Sequence, residues 1–199
     1  MLSKLAASHG VTFAETLTGF KWLARAALAR PQLRFVLGYE EALGYSVGEL
    51  VRDKDGISAA VVFAELVATL LAEGSSVPQR LDELAAEHGL HLTVQRSWRF
   101  EGIDGPDRMA ARVAMLRSEA PGSLGGIAVT EVEDLALGER LPPTDAVVLR
   151  GDGLRVVVRP SGTEPKLKCY VEVVTPVADG AAGAPARART LAELDAVLA

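Results

Sequence analysis

The chain has 199 residues, enough for one domain or two small ones, and 49% of them are apolar, which is ordinary for a globular protein. Acidic residues outnumber basic ones by 26 to 21, and the net charge of −5 argues against a protein that mainly binds nucleic acid or anionic membranes. The single cysteine, Cys169, excludes an intramolecular disulfide, and the three scattered histidines do not by themselves indicate a metal site.

No apolar run in the sequence is long enough to span a bilayer. The first ten residues also lack the long apolar core and the cleavage site of a signal peptide. We therefore expect a cytoplasmic protein with no membrane partner.

Short apolar runs alternate with helical patterns over the first 75 residues. The predicted elements are a helix at 2–8, a strand at 11–14, a helix at 23–30, a strand at 34–38 and a helix at 57–72. Strands that alternate with helices favour a βαβ arrangement, in which ligands bind beyond the carboxyl ends of parallel strands. We thus predict that residues 1–75 belong to an α/β domain with a mixed sheet. A helix at 77–88, with Ser76 as N-cap, is predicted to form a linker over residues 76–90.

The pattern changes after residue 90, where most of the predicted elements are strands. They lie at 92–100, 126–132, 146–150, 154–158 and 167–174, with a hairpin turn at 151–153. Helices are predicted at 106–117 and 190–198, the second with Thr190 as N-cap and Glu193 completing a capping box. The Ala/Gly/Pro-rich stretch 178–188 is a predicted linker. Residues 91–199 therefore form a predicted α+β domain with a mostly antiparallel sheet.

One loop between two of these strands has the composition of an anion site. The stretch from Arg159 to Lys168 reads RPSGTEPKLK. Gly162 permits a turn that aims consecutive backbone N–H groups at one point, and Ser161 and Thr163 add hydroxyl donors. Arg159 offers a fork that matches two phosphate oxygens, and Lys166 and Lys168 raise the local positive potential. An ordinary hairpin turn with scattered charges is the alternative explanation.

The same string resembles the phosphate-binding loop of the α-D-phosphohexomutase superfamily, the phosphoglucomutases and phosphomannomutases. This resemblance implies that Arg159, Ser161, Gly162, Thr163 and Lys168 bind the substrate phosphate. It also implies the fold, which would be a partial third domain of the family followed by its fourth domain, an α+β domain of the TBP-like type.

The stretch 39–45, YEEALGY, is similar to the sugar-recognition loop of that family. Adjacent carboxylates after a strand are most often a solvated loop, but carboxylates also accept hydrogen bonds from sugar hydroxyls, and glycine allows close approach. By the resemblance, Glu40 would hold the ring hydroxyls, and Ala42 replaces the usual serine. This variant resembles the branch of phosphopentomutases and glucose-1,6-bisphosphate synthases, so glucose, mannose and pentose phosphates all stay open as substrates.

Two shorter motifs occur in the order that the family shows. The string TGFK at 18–21 resembles a loop beside the sugar, which implies that Thr18, Gly19 and Lys21 bind it. A helix N-cap at Thr18 followed by an exposed lysine is the structural alternative. Lys54, which would ordinarily be a surface charge in a turn, matches a basic residue that faces the active-site cleft of the family.

The sequence lacks the two loops that carry the chemistry of the family. One holds the phosphoserine that donates the phosphoryl group, and the other holds Mg²⁺ through several aspartates. We therefore predict no catalytic residue and no metal ligand in this chain, and expect Mg²⁺ and a glucose 1,6-bisphosphate-type activator to act in the full-length enzyme. The expectation is an inactive fragment whose partners are the missing N-terminal domains of the same enzyme.

The sequence as a whole predicts the C-terminal, recognition part of a phosphosugar mutase, an isomerase that transfers a phosphoryl group within hexose or pentose phosphates. A non-catalytic phosphosugar-binding module is the first alternative. A nucleic-acid-binding protein that uses its antiparallel sheet is the second, and both the negative charge and the lack of a basic-aromatic stripe argue against it.

Overall fold

The computed structural model describes residues 1–41, 43–162, 164–177 and 184–198. The chain divides into two compact units, Leu2–Leu81 on one side and Asp82–Ala199 together with Met1 on the other. The division falls within the helix at Val77–His88, which the sequence predicts as the linker.

The helices of the described residues alternate with short and long strands. The helices are α1 (Leu2–Ser8), α2 (Phe20–Leu28), α3 (Gly56–Ala72), α4 (Val77–His88), α5 (Gly105–Ser118) and α6 (Ala184–Leu198). The strands are β1 (Leu37–Glu40), β2 (Gly44–Val47), β3 (Leu90–Arg99), β4 (Ser123–Leu124), β5 (Ile127–Ala128), β6 (Glu131–Asp134), β7 (Val147–Gly151), β8 (Leu154–Pro160) and β9 (Lys166–Thr175). A 3₁₀ turn spans Leu135–Leu137.

The described strands of the N-terminal unit form an antiparallel hairpin, so the predicted βαβ arrangement is wrong for them. β1 pairs with β2, with Tyr39 opposite Tyr45 and Glu40 opposite Gly44. Only residues 41–43 connect the two strands. Parallel neighbours need a crossover of about a dozen residues or more, so this short connection permits only antiparallel pairing. The first strand also begins and ends later than predicted, and Glu40 is therefore part of it.

The predicted strand at 11–14 is also wrong. Val11 is 49% exposed and Phe13 is 43% exposed, and the segment belongs to no strand. A strand needs a neighbouring strand for its backbone hydrogen bonds, and the N–H of Val11 donates instead to the carbonyl of Ala6 in α1 at 2.8 Å.

Helix α3 is mostly apolar, and Glu65 is its one charged residue. The helix begins after Asp55, whose carboxylate accepts hydrogen bonds from the Ser58 hydroxyl and from the backbone N–H groups of Ser58 and Ile57. These bonds, that of the Ser58 hydroxyl first, hold the pKa of Asp55 below its ordinary value. Leu70 is the buried residue of the helix. Six large side chains, here called the α3 apolar surface, are between 44% and 82% exposed: Ile57, Val61, Val62, Phe63, Leu66 and Leu71.

Taken one at a time, no helix in the described part of the chain is long and apolar enough to cross a membrane. Helices α3 and α4 meet that test of length and composition only when they are taken together as a bent pair.

The C-terminal unit contains a five-stranded sheet with the strand order β3-β9-β8-β7-β6. All of its neighbours are antiparallel, as the sequence predicts. Buried and half-buried residues alternate along β8 and β9, so one face of the sheet forms the core and the other stays partly open. Helices α5 and α6 contribute Val113 and Leu194 to that core, which also contains Val147, Leu149, Leu154, Val156, Val158, Leu167, Cys169, Val171 and Val173.

The turn between β7 and β8 is the predicted hairpin turn. Gly153 has a φ of +66°, and a Cβ added there would lie 2.4 Å from the carbonyl oxygen of Val174. Both the backbone conformation and the available space therefore require glycine at this position.

The end of the chain differs from the prediction. Helix α6 begins at Ala184, so part of the predicted linker is helical, while residues 178–183 lie outside the described residues. Thr190 is fully buried within the helix, where its hydroxyl donates to the carbonyl of Ala186 at 3.0 Å. Glu193 accepts a hydrogen bond from the hydroxyl of Thr175 on β9 at 2.6 Å. The predicted capping box is therefore wrong, because the alanine-rich segment before it extends the helix.

The predicted strand at 126–132 is split into two. Its first part, β5, pairs with β4 in a small separate hairpin, whereas β6 joins the large sheet beside β7.

Candidate functional site

The loop between β8 and β9 is a closed turn anchored to a neighbouring strand. The backbone N–H of Ser161 donates to the carbonyl of Lys166 at 2.8 Å, which closes the turn at its base. The N–H of Phe100, directly after β3, donates to the carbonyl of Pro165 at 2.9 Å. The fold therefore places the predicted phosphate loop at the end of three adjacent strands.

Gly162 is exposed at the outer side of this turn. Its φ is not in the left-handed region, and a Cβ added there would meet no atom within 4 Å. The predicted reason for this glycine, its conformational freedom, is thus not supported by the backbone, and what remains is open space beside Ser161. Thr163, the neighbouring predicted phosphate ligand, lies outside the described residues.

Arg159 is held against an aromatic ring near the end of β8. Its Nη2 donates a hydrogen bond to the Oη of Tyr170 on β9 at 3.1 Å. The central carbon of the guanidinium lies 5.5 Å from the centroid of the Tyr170 ring, within the range of a cation–π interaction. Lys168 is the direct partner of Arg159 in the register of β8 and β9. The structure thus brings these two predicted phosphate ligands together on the open face of the sheet.

Two other cations, one in the loop and one on β3, share the carboxylate of Glu164. Glu164 lies 2.9 Å from the Nζ of Lys166 and 3.4 Å from the Nη2 of Arg99 on β3. The hydrogen bond with Lys166 is the main reason that the pKa of Glu164 is below its ordinary value. Among the described residues, by contrast, no carboxylate lies within ion-pair distance of Arg159 or Lys168. Arg159 therefore keeps a guanidinium without a carboxylate partner, while the more distant charge of Lys168 contributes to lowering the pKa of Glu164.

The structure also brings Glu40 and Gly19 together in the N-terminal unit. The backbone N–H of Gly19 donates a hydrogen bond to Oε1 of Glu40. Gly19 is the N-cap of α2, with a φ of +120°, and no side chain caps the helix at that position. The alternative explanation of Thr18 as the helix cap is therefore wrong, because a carboxylate from the hairpin occupies the N-terminus of α2 instead.

Lys54 lies beside the same hairpin. Its Nζ is 4.5 Å from the centroid of the Phe20 ring. A Cβ added to Gly44 would lie 2.6 Å from the Phe20 ring and 3.3 Å from the Cε of Lys54. Gly44 is thus needed for the close packing of α2 against the hairpin, and this packing brings Lys54 and the Glu40 strand together.

Lys21 is the predicted sugar ligand with the least structural support. Its Nζ lies 5.4 Å from the ring centroid of Trp22, the following residue, and the side chain is exposed. Its role at a sugar site stays a prediction from the motif.

Sequence reasoning missed the aromatic residues that hold the cations. Tyr170 accepts a hydrogen bond from Arg159, and the ring of Phe20 contacts the ammonium group of Lys54. A signal for Tyr170 was present, since it lies two positions after Lys168 on an alternating strand and must share its face. No comparable signal marks Phe20, because its contact joins a helix to a segment more than 30 residues later in the sequence.

The described residues do not supply a magnesium site. Within them, no group of three or more His, Cys, Asp or Glu side chains is placed to hold a metal ion. The donor set that Mg²⁺ requires, several oxygen ligands, is therefore not assembled in the described part of this chain.

Two sequence models of one family match the chain. The model "Phosphoglucomutase/phosphomannomutase, alpha/beta/alpha domain III" matches residues 1–88, and "Phosphoglucomutase/phosphomannomutase, C-terminal domain" matches residues 115–189. The chain belongs to the phosphoglucomutase/phosphomannomutase family. This confirms the predicted family and, with the observed elements, the predicted fold class.

Curated members of the family align with most of the chain. A probable phosphoribomutase of Schizosaccharomyces pombe is 36% identical over 192 residues, which cover 86% of this chain and 32% of the relative. A probable phosphomannomutase of Haemophilus influenzae is 35% identical over 173 residues, covering 86% of this chain and 33% of the relative. The human phosphopentomutase is 32% identical over 193 residues, which cover 88% of this chain and 32% of the relative. The chain spans about a third of the length of these relatives.

A solved structure has the same fold. The open form of pp63/parafusin, a phosphoglucomutase from Paramecium, matches with a TM-score of 0.63 at 21% identity, over 86% of this chain and 30% of that one. Both sets of candidate residues lie within the segments that the family models match, Thr18 to Lys54 in the first and Arg159 to Lys168 in the second.

Proposed function

We propose that this chain supplies substrate recognition in a phosphosugar mutase, an isomerase that moves a phosphoryl group reversibly within a hexose or pentose phosphate. Membership of the family supports the reaction class. The names of the relatives include a phosphoribomutase, a phosphomannomutase and a phosphopentomutase, so both hexose and pentose phosphates stand as substrates.

The observation that carries the proposal is that Arg159 and Lys168, among the described residues, have no carboxylate within ion-pair distance. The two side chains are direct neighbours on one face of the sheet, and the nearby carboxylate of Glu164 is taken by Lys166 and Arg99. A phosphate dianion fits such a pair, because a guanidinium can donate two parallel hydrogen bonds to its oxygens. Ser161 lies one residue beyond β8 and adds a hydroxyl donor at the same end.

The sugar would be held by the N-terminal unit. Glu40 contacts the N-terminus of α2 through Gly19, so its carboxylate is already oriented, and its remaining lone pairs can accept from sugar hydroxyls. Lys54, held over the Phe20 ring, adds a cation to this region. Recognition of groups remote from the reacting atoms provides the binding free energy that a mutase uses to position its substrate.

The chemistry itself would come from polypeptide outside this chain. In this proposal the phosphoserine, the magnesium ligands and the response to a glucose 1,6-bisphosphate-type activator belong to the other domains of a longer mutase. The length of the relatives supports this division, since each is about three times as long as the segment that aligns.

The proposal is tested by calorimetric titration of the chain with glucose 6-phosphate. We expect Arg159→Ala to weaken binding by about 1.5–3 kcal/mol, the size of a charge-assisted hydrogen-bond pair. Arg112→Ala is the matched control, because Arg112 is an exposed arginine of α5 in the same unit. Equal affinities of Arg159→Ala and the unmodified chain would contradict the assignment of the phosphate site.

A further inference from the structure

We propose that Tyr170 is a positioning residue for phosphate binding, which fixes the guanidinium of Arg159 before the ligand arrives. The inference rests on the proposed function, since it concerns how that site is organised. Tyr170 lies outside the RPSGTEPKLK string and touches Arg159 rather than the loop.

The strand register places the two side chains for this contact. Arg159 is opposite Lys168, and Tyr170 is opposite Val157, so Tyr170 is the diagonal neighbour of Arg159 across two adjacent strands. Side chains in this relation are about 7–8 Å apart at their backbones, within reach of a long or aromatic residue. Both positions are half-buried and alternate with buried core residues, which puts them on the same face of the sheet.

Two different contacts restrain the guanidinium. The hydrogen bond to the phenol oxygen, at 3.1 Å, fixes one N–H direction, and the ring, 5.5 Å from the guanidinium carbon, restricts the remaining movement. One of the five N–H donors of Arg159 is used in this way, so the others stay available for phosphate oxygens. The arginine side chain has many rotamers in its free state, and ordering it beforehand lowers the entropic cost of binding.

The chemical identity of the holding group is what links Tyr170 to an anion ligand. A carboxylate at this position would hold Arg159 equally well but would also compensate its charge, as Glu164 does for Lys166 and Arg99. A phenol is a neutral acceptor. It orients the arginine and leaves its full positive charge for the phosphate.

The test is a double-mutant cycle measured by calorimetric titration with glucose 6-phosphate. Tyr170→Phe removes the hydrogen bond and keeps the ring, and we expect its dissociation constant to rise about two- to tenfold. Tyr170→Leu removes both contacts and should weaken binding further. In the Arg159→Ala background, Tyr170→Phe should have no additional effect, because the group that it positions is absent.

The outcomes separate this inference from the proposed function. If Arg159→Ala weakens binding and Tyr170→Phe does not, the phosphate site stands and the positioning role is wrong. If Tyr170→Phe weakens binding equally with and without Arg159, Tyr170 acts through the fold in general and the inference is also wrong. If Arg159→Ala binds as the unmodified chain does, both proposals fail together.

A second measurement needs no ligand. The Nε–Hε signal of Arg159 in ¹⁵N relaxation experiments should report a restricted side chain in the unmodified protein and a mobile one in Tyr170→Phe. Equal mobility of Arg159 in the two proteins would overturn the inference even if the chain bound no sugar phosphate. If the thermal unfolding midpoint of Tyr170→Phe is close to that of the unmodified chain, the change in Arg159 mobility is local.

Discussion

Arg159 and Lys166 show how the partner of a cation decides what it can bind. Both lie in the same short stretch, yet Lys166 is paired with Glu164 and Arg159 is paired with the neutral phenol of Tyr170. An exposed ion pair contributes little to stability. Glu164 matters mainly because its negative charge compensates some of the neighbouring cations directly and not others. The sequence string alone does not distinguish these two roles.

Cys169 illustrates a buried residue with a measurable effect on the pH dependence of stability. Burial in the core raises the pKa of its thiol to about 11. Because the folded-state pKa is above that of the unfolded chain, near 8.5, the neutral thiol stabilises the fold below about pH 8.5 and this contribution is lost as the pH rises toward 11. The unmodified protein should therefore lose on the order of 2–3 kcal/mol more than Cys169→Ala between pH 8 and pH 11.

This prediction is checked by urea unfolding of both proteins across that pH range. The difference between their free energies of unfolding cancels the contribution of other groups that titrate there. A constant difference over the whole range would contradict the buried, neutral thiol. Reaction with a disulfide reagent should likewise be slow in the folded chain and fast in urea.

Several site residues could be predicted singly, but their arrangement could not. The strings around Thr18, Glu40, Lys54 and Arg159 each have a recognisable pattern. The contact of Glu40 with the N–H of Gly19 depends on packing between a helix and a hairpin, which no local pattern contains. The expected left-handed conformation of Gly162 is likewise absent, since its own φ is not positive.

At the level of elements, strand β6 at the edge of the large sheet is held by an ion-pair cluster. Glu133 on β6 accepts two hydrogen bonds from Arg140, both at 3.1 Å, and one from Arg150 on β7 at 3.2 Å. The bonds from Arg140 and then from Arg150 hold the pKa of Glu133 below its ordinary value. The carboxylate is only 14% exposed, so these bonds are less screened than ordinary surface pairs.

We expect Glu133→Gln to lower the free energy of unfolding by about 1–2 kcal/mol at pH 7. Since the folded-state pKa is lowered, the contribution is fully present above about pH 4.3 and is lost as the pH falls through the folded-state pKa. The difference in free energy of unfolding between Glu133→Gln and the unmodified chain should therefore become smaller below pH 4. Glu131→Gln is the control, because that carboxylate is 58% exposed and 3.8 Å from Arg150. If the loss of unfolding free energy in Glu133→Gln did not change with pH, the charged carboxylate of Glu133 would not be the source of the stabilisation.

The α3 apolar surface leads to a prediction about the solution behaviour of the chain. An apolar surface that is not covered favours association of molecules in water. The chain should self-associate at micromolar concentration in sedimentation velocity experiments, and the double variant Val61→Lys, Leu71→Lys should reduce this association. Gln79→Lys adds a charge at an exposed position of α4 and serves as the control. A chain that sediments as a single monomeric species at all concentrations would show this prediction to be wrong.

Helices with strong local patterns were predictable, whereas elements that depend on neighbours were not. α3 and α5 agree with their predicted ranges to within a residue or two. The error at Thr190 arose because a capping pattern was read without the helix-forming alanines before it, and only burial reveals that Thr190 is internal. The strand expected at 11–14 failed because strand formation depends on a partner.

At the scale of the whole molecule, the sequence separates into two units near the position where its pattern changes. The change from alternating helices and strands to a run of strands near residue 90 lies close to the division observed at Leu81 and Asp82. The order of the motifs along the chain was sufficient to predict the family, which the family models confirm. The periodicity of the sequence could not predict the antiparallel hairpin. The short connection between β1 and β2, and not the pattern of the strands, decides their relative direction.

The charge of the whole chain opposes the charge of its candidate site. A net charge of −5 repels anions in general, so the proposed phosphosugar ligand requires a local positive region. Arg159 and Lys168 provide that region at the end of the sheet. Their effect on an anion should weaken as salt screens it over about 8–10 Å.

Phosphate recognition by this chain is tested most directly by calorimetry, which compares the affinity of the intact chain for glucose 6-phosphate and for unphosphorylated glucose at low and at high salt. We expect the phosphate to lower the dissociation constant by about tenfold or more, and high salt to reduce this advantage. Equal affinities for the two sugars in a folded chain would contradict phosphate recognition by the loop between β8 and β9. An advantage that does not change with salt would contradict the role of Arg159 and Lys168 as its source.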